Sequence, residues 1–319
     1  MREIGAQSPL AGRMHHDPID TGILHRQAVF AKGGTRRDLE RSIRDGSVRR
    51  IARGWYAHAE PHPDAVRALR AGGRITCGAA LKLHGAWTLH TRSRHIRIRR
   101  DQNLPDGFAS GECHRLPEGF PAPPHTFVVD PVDAAFACAA QCFATDELVI
   151  VADSLLHKGL ATVEELRSWA GTVSKSAATA LELADGRSES GTETLLRLAL
   201  RRAGIRHRVQ VEIGPHRVDL LVGDRLIIEC DSEEHHGSPE QFRKDRSRDL
   251  FLRLLGYEVL RFSYHQIVFA LVEVMRLIGM YLDRREHKWA SKHGRAAAKR
   301  PPRARMDRPT RAAGGSRRR

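Results

Sequence analysis

The sequence predicts a multidomain α/β protein, and three observations predict it. The 319 residues suffice for two or three domains, and a hydrophobic share of 41% suffices for real cores. Segments of helical and of strand-like periodicity follow one another along the chain. Arg217–Asp231, RVDLLVGDRLIIECD, reads as a β-hairpin, and the C-terminal third is organised around it.

Residues 1–19 contain Pro9 and Pro18 with little periodicity, which predicts a loose arm. Residues 20–60 predict a small DNA-binding unit. A first helix runs through Ile23, Leu24, Ala28 and Phe30 and stops at Gly33-Gly34. Thr35 caps a second, with Asp38 three residues on, Leu39 and Ile43 inward, and Gly46 as its stop. Val48–Tyr56, VRRIARGWY, follows as a basic strand–turn–strand. Helix, helix and basic wing is the order of a winged helix-turn-helix. Arg36, Arg37, Arg41 and Arg44 on the second helix, with Arg49, Arg50 and Arg53 on the wing, are the candidate DNA-binding residues. Such a helix can reach phosphates and guanine edges.

Residues 61–175 form an α/β middle region. Helices are expected at Pro63–Ala71, Thr76–Gly85, Asp133–Cys142, Glu147–His157 and Val163–Ala170, and strands at Arg94–Arg99 and His125–Asp130. No catalytic constellation is visible in it, and His84, His90 and His95 read as scattered surface or core residues. The Ala, Ser and Gly of Lys175–Arg187 mark a boundary, and residues 186–284 form the next domain. Ser190 and Glu193 have capping-box spacing at the start of a helix that stops at Gly204. After the hairpin come His235 and His236, then a helix opened by Ser238-Pro239 and carrying Lys244 and Arg248. Tyr257–Phe262 reads as a strand and His265–Asp283 as one apolar helix.

The register of the hairpin follows from its pattern. A two-residue loop would put Val218, Leu220 and Val222 on one face with Glu229 and Asp231. A three-residue loop, Gly223-Asp224-Arg225, pairs Val222 with Leu226 and gathers Val218, Leu220, Val222, Leu226, Ile228 and Cys230 on an apolar face. The other face then holds Arg217, Asp219, Leu221, Ile227, Glu229 and Asp231. Three carboxylates spaced by roughly 5–7 Å repel one another. They form either a solvated face paired with arginines or a site for a hard cation such as magnesium.

The net charge of +15 is uneven. Residues 284–319 hold 14 Lys/Arg against Glu286 and Asp307, so a disordered basic tail over 285–319 is expected, offering non-specific attraction to phosphate. Cys77, Cys113, Cys138, Cys142 and Cys230 show no CxxC pair and no zinc spacing, and Cys138 and Cys142 read as core. The cysteines suit a reducing cytoplasm. No signal peptide, membrane span or small-molecule cofactor motif is visible.

Two resemblances add to this reading. Thr35, Gly46 and Val48–Tyr56 resemble the N-terminal domain of AbiEi-like antitoxins of the type IV toxin–antitoxin class, which implies DNA binding and a cognate toxin as partner. Residues 1–20 lack the first of the three helices usual in that family. Val218-Asp219-Leu220, Ile228-Glu229-Cys230-Asp231, His235-His236, Asp245–Asp249, Leu255-Gly256-Tyr257 and Val259–Phe262 are similar to an uncharacterised family with a fold like the very-short-patch-repair endonucleases. That implies a restriction-endonuclease-like PD-(D/E)XK domain with a mixed sheet. By this resemblance Asp219, Glu229 and the main-chain carbonyl of Cys230 would hold magnesium or manganese, and Glu193 a second metal or its water. Asp231 stands where the wider superfamily commonly has lysine. Lys244 or Arg248 would substitute for it, and His235 or His236 would act as general base. The implied function is metal-dependent endonucleolysis of DNA. Its competitors are a non-catalytic autorepressor or antitoxin that uses the nuclease fold as a binding platform, and an RNA-directed nuclease.

Overall fold

The structure, a computed structural model, describes residues 19–58, 60–89, 94–231 and 239–289; in the helix starting at Pro239, side chains are described from Arg246 onward. The chain divides into two compact units, 1–204 with 264–271, and 205–263 with 272–319.

The first unit opens with β1 (Ile23–His25), α1 (Arg26–Ala31), α2 (Arg36–Arg44), β2 (Arg49–Ala52) and β3 (Trp55–Ala57). The strands form one antiparallel sheet in the order β1-β3-β2. The capping box at Thr35 forms as expected: Thr35 Oγ1 accepts from Asp38 N (3.2 Å), and Asp38 Oδ2 accepts from Thr35 N (3.0 Å). Two expectations fail here. Ile23 and Leu24 are not helical, because their backbone pairs with Ala57 and Tyr56. Ile43 does not face inward; it is 41% exposed, and Leu39 alone anchors α2.

The unit continues with α3 (Pro63–Arg70), β4 (Arg74–Ile75), α4 (Cys77–Leu83), β5 (Ile96–Arg97), β6 (Cys113–His114), α5 (Val132–Ala139), α6 (Thr145–His157), α7 (Val163–Gly171), α8 (Lys175–Ala180) and α9 (Gly191–Arg202). β5 lies between β4, antiparallel, and β6, parallel. The core is built on Ile75, Ile96, Phe136, Leu155, Leu166 and Leu181, all fully buried. Two carboxylates inside it are neutralised by arginines. Arg97 makes a two-armed bond to Asp130 (2.7 Å on each arm), and Arg197 donates to Asp153 (2.7 Å). Asp153 also accepts from Thr194 Oγ1 and Asp185 N. Burial without such partners would cost several kcal/mol per charge, on the order of 3–5.

Several boundaries move. His125–Asp130 is not a strand; it makes one parallel bridge, Ile75 to Val129. The first helix of the alanine-rich stretch ends at Ala139, so Cys142 lies in the turn beyond it. Lys175–Arg187 is not an open boundary, since α8 and the turn after it bury Ala177, Ala180 and Leu181. Compact packing instead changes hands after Gly204.

The second unit holds β7 (His207–Ile213), β8 (His216–Val222), β9 (Leu226–Asp231), α10 (Pro239–Leu254) and β10 (Glu258–Ser263). α11 (Tyr264–Phe269) returns to the first unit, and most of α12 (Leu271–Asp283) belongs to the second. The expected single helix over His265–Asp283 is therefore broken at Ala270, and Val272 is 87% exposed. The sheet order is β10-β9-β8-β7, with β9 and β10 parallel and the other pairs antiparallel: a mixed sheet. β7 is a strand that the expectations above omit, although Val209, Val211 and Ile213 alternate with Arg208, Gln210 and Glu212.

The hairpin register is the one the apolar pattern requires. Val222 pairs with Leu226, Leu221 with Ile227 and Leu220 with Ile228, across Gly223-Asp224-Arg225, with Gly223 at φ +63°. The division into an apolar and a solvated face does not hold. Leu221 and Ile227, on the carboxylate side, are as buried as Leu220 and Ile228, because Leu252 of α10 packs on them. The basic tail also begins later than 285. His287 O accepts from Asp224 N and Arg225 N, and the Trp289 ring lies edge-on to Tyr257 and beneath the Arg225 guanidinium. Residues 290–319 lie outside the described residues, as does the arm up to 18.

Candidate functional site

Asp219 sits on β8, and Glu229, Cys230 and Asp231 on β9. Antiparallel pairing at Leu220–Ile228 brings the next residues, Asp219 and Glu229, side by side on one face. Parallel pairing sets Arg261 of β10 beside Glu229 and Ser263 beside Asp231. α10 lies along this sheet and contributes Arg248 and Asp249.

The carboxylates are held by defined bonds. Asp219 Oδ2 accepts from Cys230 N (2.8 Å). Glu229 Oε1 accepts from Arg248 (2.7 Å), whose same nitrogen donates to Arg217 O (2.6 Å). Arg261 donates to Asp249 (2.6 Å) and reaches Asp231 at 3.4 Å. These bonds engage Oδ2 of Asp219 and Oε1 of Glu229. The Arg248 Nε is buried with no partner among the described residues.

Electrostatics set this pair apart from surface acids. Glu229 is only 4% exposed. Burial first, then the charge of Asp219, pushes its carboxyl up from 4.5 to about 7, against the pull of Arg248 and Arg261. The Asp219 carboxyl is also raised, chiefly by burial; the Cys230 amide and Arg248 hold it back. The repulsion read from the sequence is present, but desolvation outweighs it in both groups. A half-buried and a buried carboxylate on neighbouring strands, both pushed up mainly by burial, make an oxygen donor pair of the kind that suits a hard divalent cation. The residues present therefore fit a divalent metal ion.

Glu193 is in the first unit, 4% exposed, with its oxygens accepting from Ser190 Oγ (2.9 Å) and Glu189 N (3.0 Å). It anchors the start of α9. His235, His236 and the Lys244 side chain lie outside the described residues. Arg36, Arg37, Arg41, Arg44, Arg49, Arg50 and Arg53 are all exposed; Arg36 is bonded to Glu40 (2.8 Å), and Arg41 lies 3.8 Å from Asp38.

Sequence reasoning missed Arg261 and Asp249 as parts of this site. For Arg261 the signal was its place in β10, legible only once β10 is known to run parallel to β9.

Residues 193–278 match the family model REase_MTES_1575. The C-terminal domain is restriction-endonuclease-like. No curated protein matches the chain. Among the described residues, no helix is long and apolar enough to cross a membrane.

Proposed function

We propose that the C-terminal domain is a metal-dependent endonuclease acting on DNA, and that residues 20–60 form a winged helix which grips the duplex through its arginines. The observation that carries this reading is the Asp219–Glu229 pair: a half-buried and a buried carboxylate side by side on neighbouring strands, both raised above their ordinary pKa chiefly by burial, in a restriction-endonuclease-like domain. Asp219, Glu229 and the Cys230 carbonyl would hold magnesium or manganese. Such an ion lowers the pKa of its bound water and stabilises charge that builds on phosphate.

The chain's own residues have separable tasks. Arg248 balances Glu229 and keeps its carboxylate aimed along the sheet. Asp231, in the position where lysine is usual, cannot offset negative charge; Arg261 holds it and supplies the positive charge beside Glu229. Lys244 remains the candidate for orienting water, and His235 or His236 for accepting its proton. The exposed arginines of α2 and the β2–β3 wing would neutralise backbone phosphates.

The test is nicking of supercoiled plasmid in magnesium or manganese by the wild-type chain and by Asp219→Ala. Metal-dependent nicking lost in Asp219→Ala supports the reading. Equal nicking by both proteins refutes the assignment of the site. Asp231 in the lysine position favours a second reading, a non-catalytic regulator or antitoxin-like autorepressor whose nuclease fold only binds. Tight duplex binding with no cleavage in either metal would select it.

A further inference from the structure

Four side chains that the sequence scatters meet in the first unit. Cys77, His95, His114 and Cys142 bring one ligand atom each to within 4.8 Å of all the others. Cys77 opens α4, His95 directly precedes β5, His114 closes β6, and Cys142 lies in the turn after α5. Intervals of 18, 19 and 28 positions carry no zinc-finger spacing, so only the fold brings the four together.

The geometry is that of a tetrahedral hole. Cys77 Sγ and Cys142 Sγ are 3.3 Å apart, Cys142 Sγ is 3.8 Å from His95 Nδ1 and 3.7 Å from His114 Nε2, and the two ring nitrogens are 2.8 Å apart. Zinc at about 2.3 Å from sulfur and about 2.0 Å from nitrogen gives edges of roughly 3.3–3.8 Å, so the cluster needs only slight expansion to take it. Three of the four residues are buried and Cys142 is half-buried. The frame around them is fixed. His95 O accepts from Thr76 N, His114 O accepts from Ile98 N, and the Phe143 ring lies against Gly78 so closely that a Cβ there would meet it at 2.9 Å. The sulfur of Cys77 is set by a left-handed backbone, φ +56°, unusual for a residue with a side chain.

We infer that Cys77, His95, His114 and Cys142 form a structural Cys2His2 zinc site that ties α4, β5, β6 and the turn after α5 into one frame. Soft thiolates with imidazoles in a closed tetrahedral set select zinc over magnesium or calcium, and four protein ligands leave no open position for catalysis. This site is chemically distinct from the all-oxygen donor set of Asp219 and Glu229. It stands whether or not the C-terminal domain cleaves DNA.

The test uses the full chain carrying Asp219→Asn, so that metal at the carboxylates is not counted. Protein produced in zinc-supplemented cells and desalted under reducing conditions is analysed for metal by mass spectrometry. About one zinc per chain is expected. It should be lost in Cys142→Ser and in His114→Asn, and kept in the neighbouring controls Cys113→Ser and Cys138→Ser. Because a ligand variant can fail to fold, a second readout uses the intact cluster. Refolding in cobalt should give the intense visible bands of tetrahedral cobalt with thiolate ligands, which zinc then abolishes. Absence of both retained zinc and the cobalt bands overturns the inference. So does a Cys77–Cys142 disulfide in metal-free protein, or zinc retained equally by folded Cys142→Ser and His114→Asn.

Discussion

Replacing Glu229 by glutamine should flatten the pH dependence of the C-terminal unit's stability. In the folded protein the Glu229 carboxyl is raised from 4.5 to about 7. Between those values the folded state keeps a proton that the unfolded chain has released. Stability from this group is therefore complete below about pH 4.5, falls as pH rises towards 7, and is level above it. The difference corresponds to about 3 kcal/mol. Glutamine keeps an oxygen for Arg248 but cannot ionise, so Glu229→Gln should gain about 3 kcal/mol on wild type between about pH 4.5 and about pH 8. Part of the shift comes from the charge of Asp219, which pushes the Glu229 carboxyl up alongside burial. The assay is urea unfolding of the full chain, with Trp289 as reporter of the second unit; Trp55, Trp87 and Trp169 belong to the first. Saturating manganese should remove most of the wild-type loss, because a cation compensates the charge. Parallel wild-type and Glu229→Gln stability curves across this range would refute the argument that burial of Glu229 outweighs the pull of Arg248 and Arg261.

Three further outcomes follow from particular side chains. Arg248→Ala removes the cation beside Glu229 and should destabilise the C-terminal unit by about 3 kcal/mol above pH 7, and by less near pH 4.5 where the glutamate is neutral; a loss independent of pH would show that Arg248 acts only by packing. Replacing Arg36, Arg37 and Arg41 with alanine should lower duplex affinity and reduce the slope of log affinity against log salt by roughly 0.9 for each phosphate no longer neutralised, read from binding isotherms over a salt series. Deleting 290–319 should weaken binding to all DNA sequences alike and leave the melting temperature nearly unchanged, whereas Trp289→Ala should cost about 1 kcal/mol by removing the stacking on Tyr257 and Arg225, read by thermal unfolding.

What was legible in the sequence was local. The three-residue loop at Gly223 followed from alternation alone, because a slipped register would have put Glu229 on the face of Val218 and Leu220. The Thr35–Asp38 box and the strand pair around Gly54 were equally local signals. The rest depended on distant chain. β7 was legible and overlooked: Val209, Val211 and Ile213 alternate with Arg208, Gln210 and Glu212 as in a half-buried strand, and only the partner, β8, had to come from the fold. Burial of the carboxylate face depends on where α10 packs, which no periodicity in β8 or β9 states. The Cys/His cluster was invisible because each ligand comes from a different segment. Ala270 breaks an apolar run that periodicity alone would continue, since α11 and α12 belong largely to different compact units.

The central claim, that Asp219 and Glu229 hold a divalent cation, is tested most directly by titration calorimetry of manganese into the full chain with the Cys/His cluster already loaded with zinc. The account predicts one saturable site in wild type whose affinity rises with pH up to about 7, as Glu229 gives up its proton. Asp219→Asn should abolish that site while the protein stays folded. Manganese heats that are identical in wild type and Asp219→Asn, or absent from both at any pH, would contradict it.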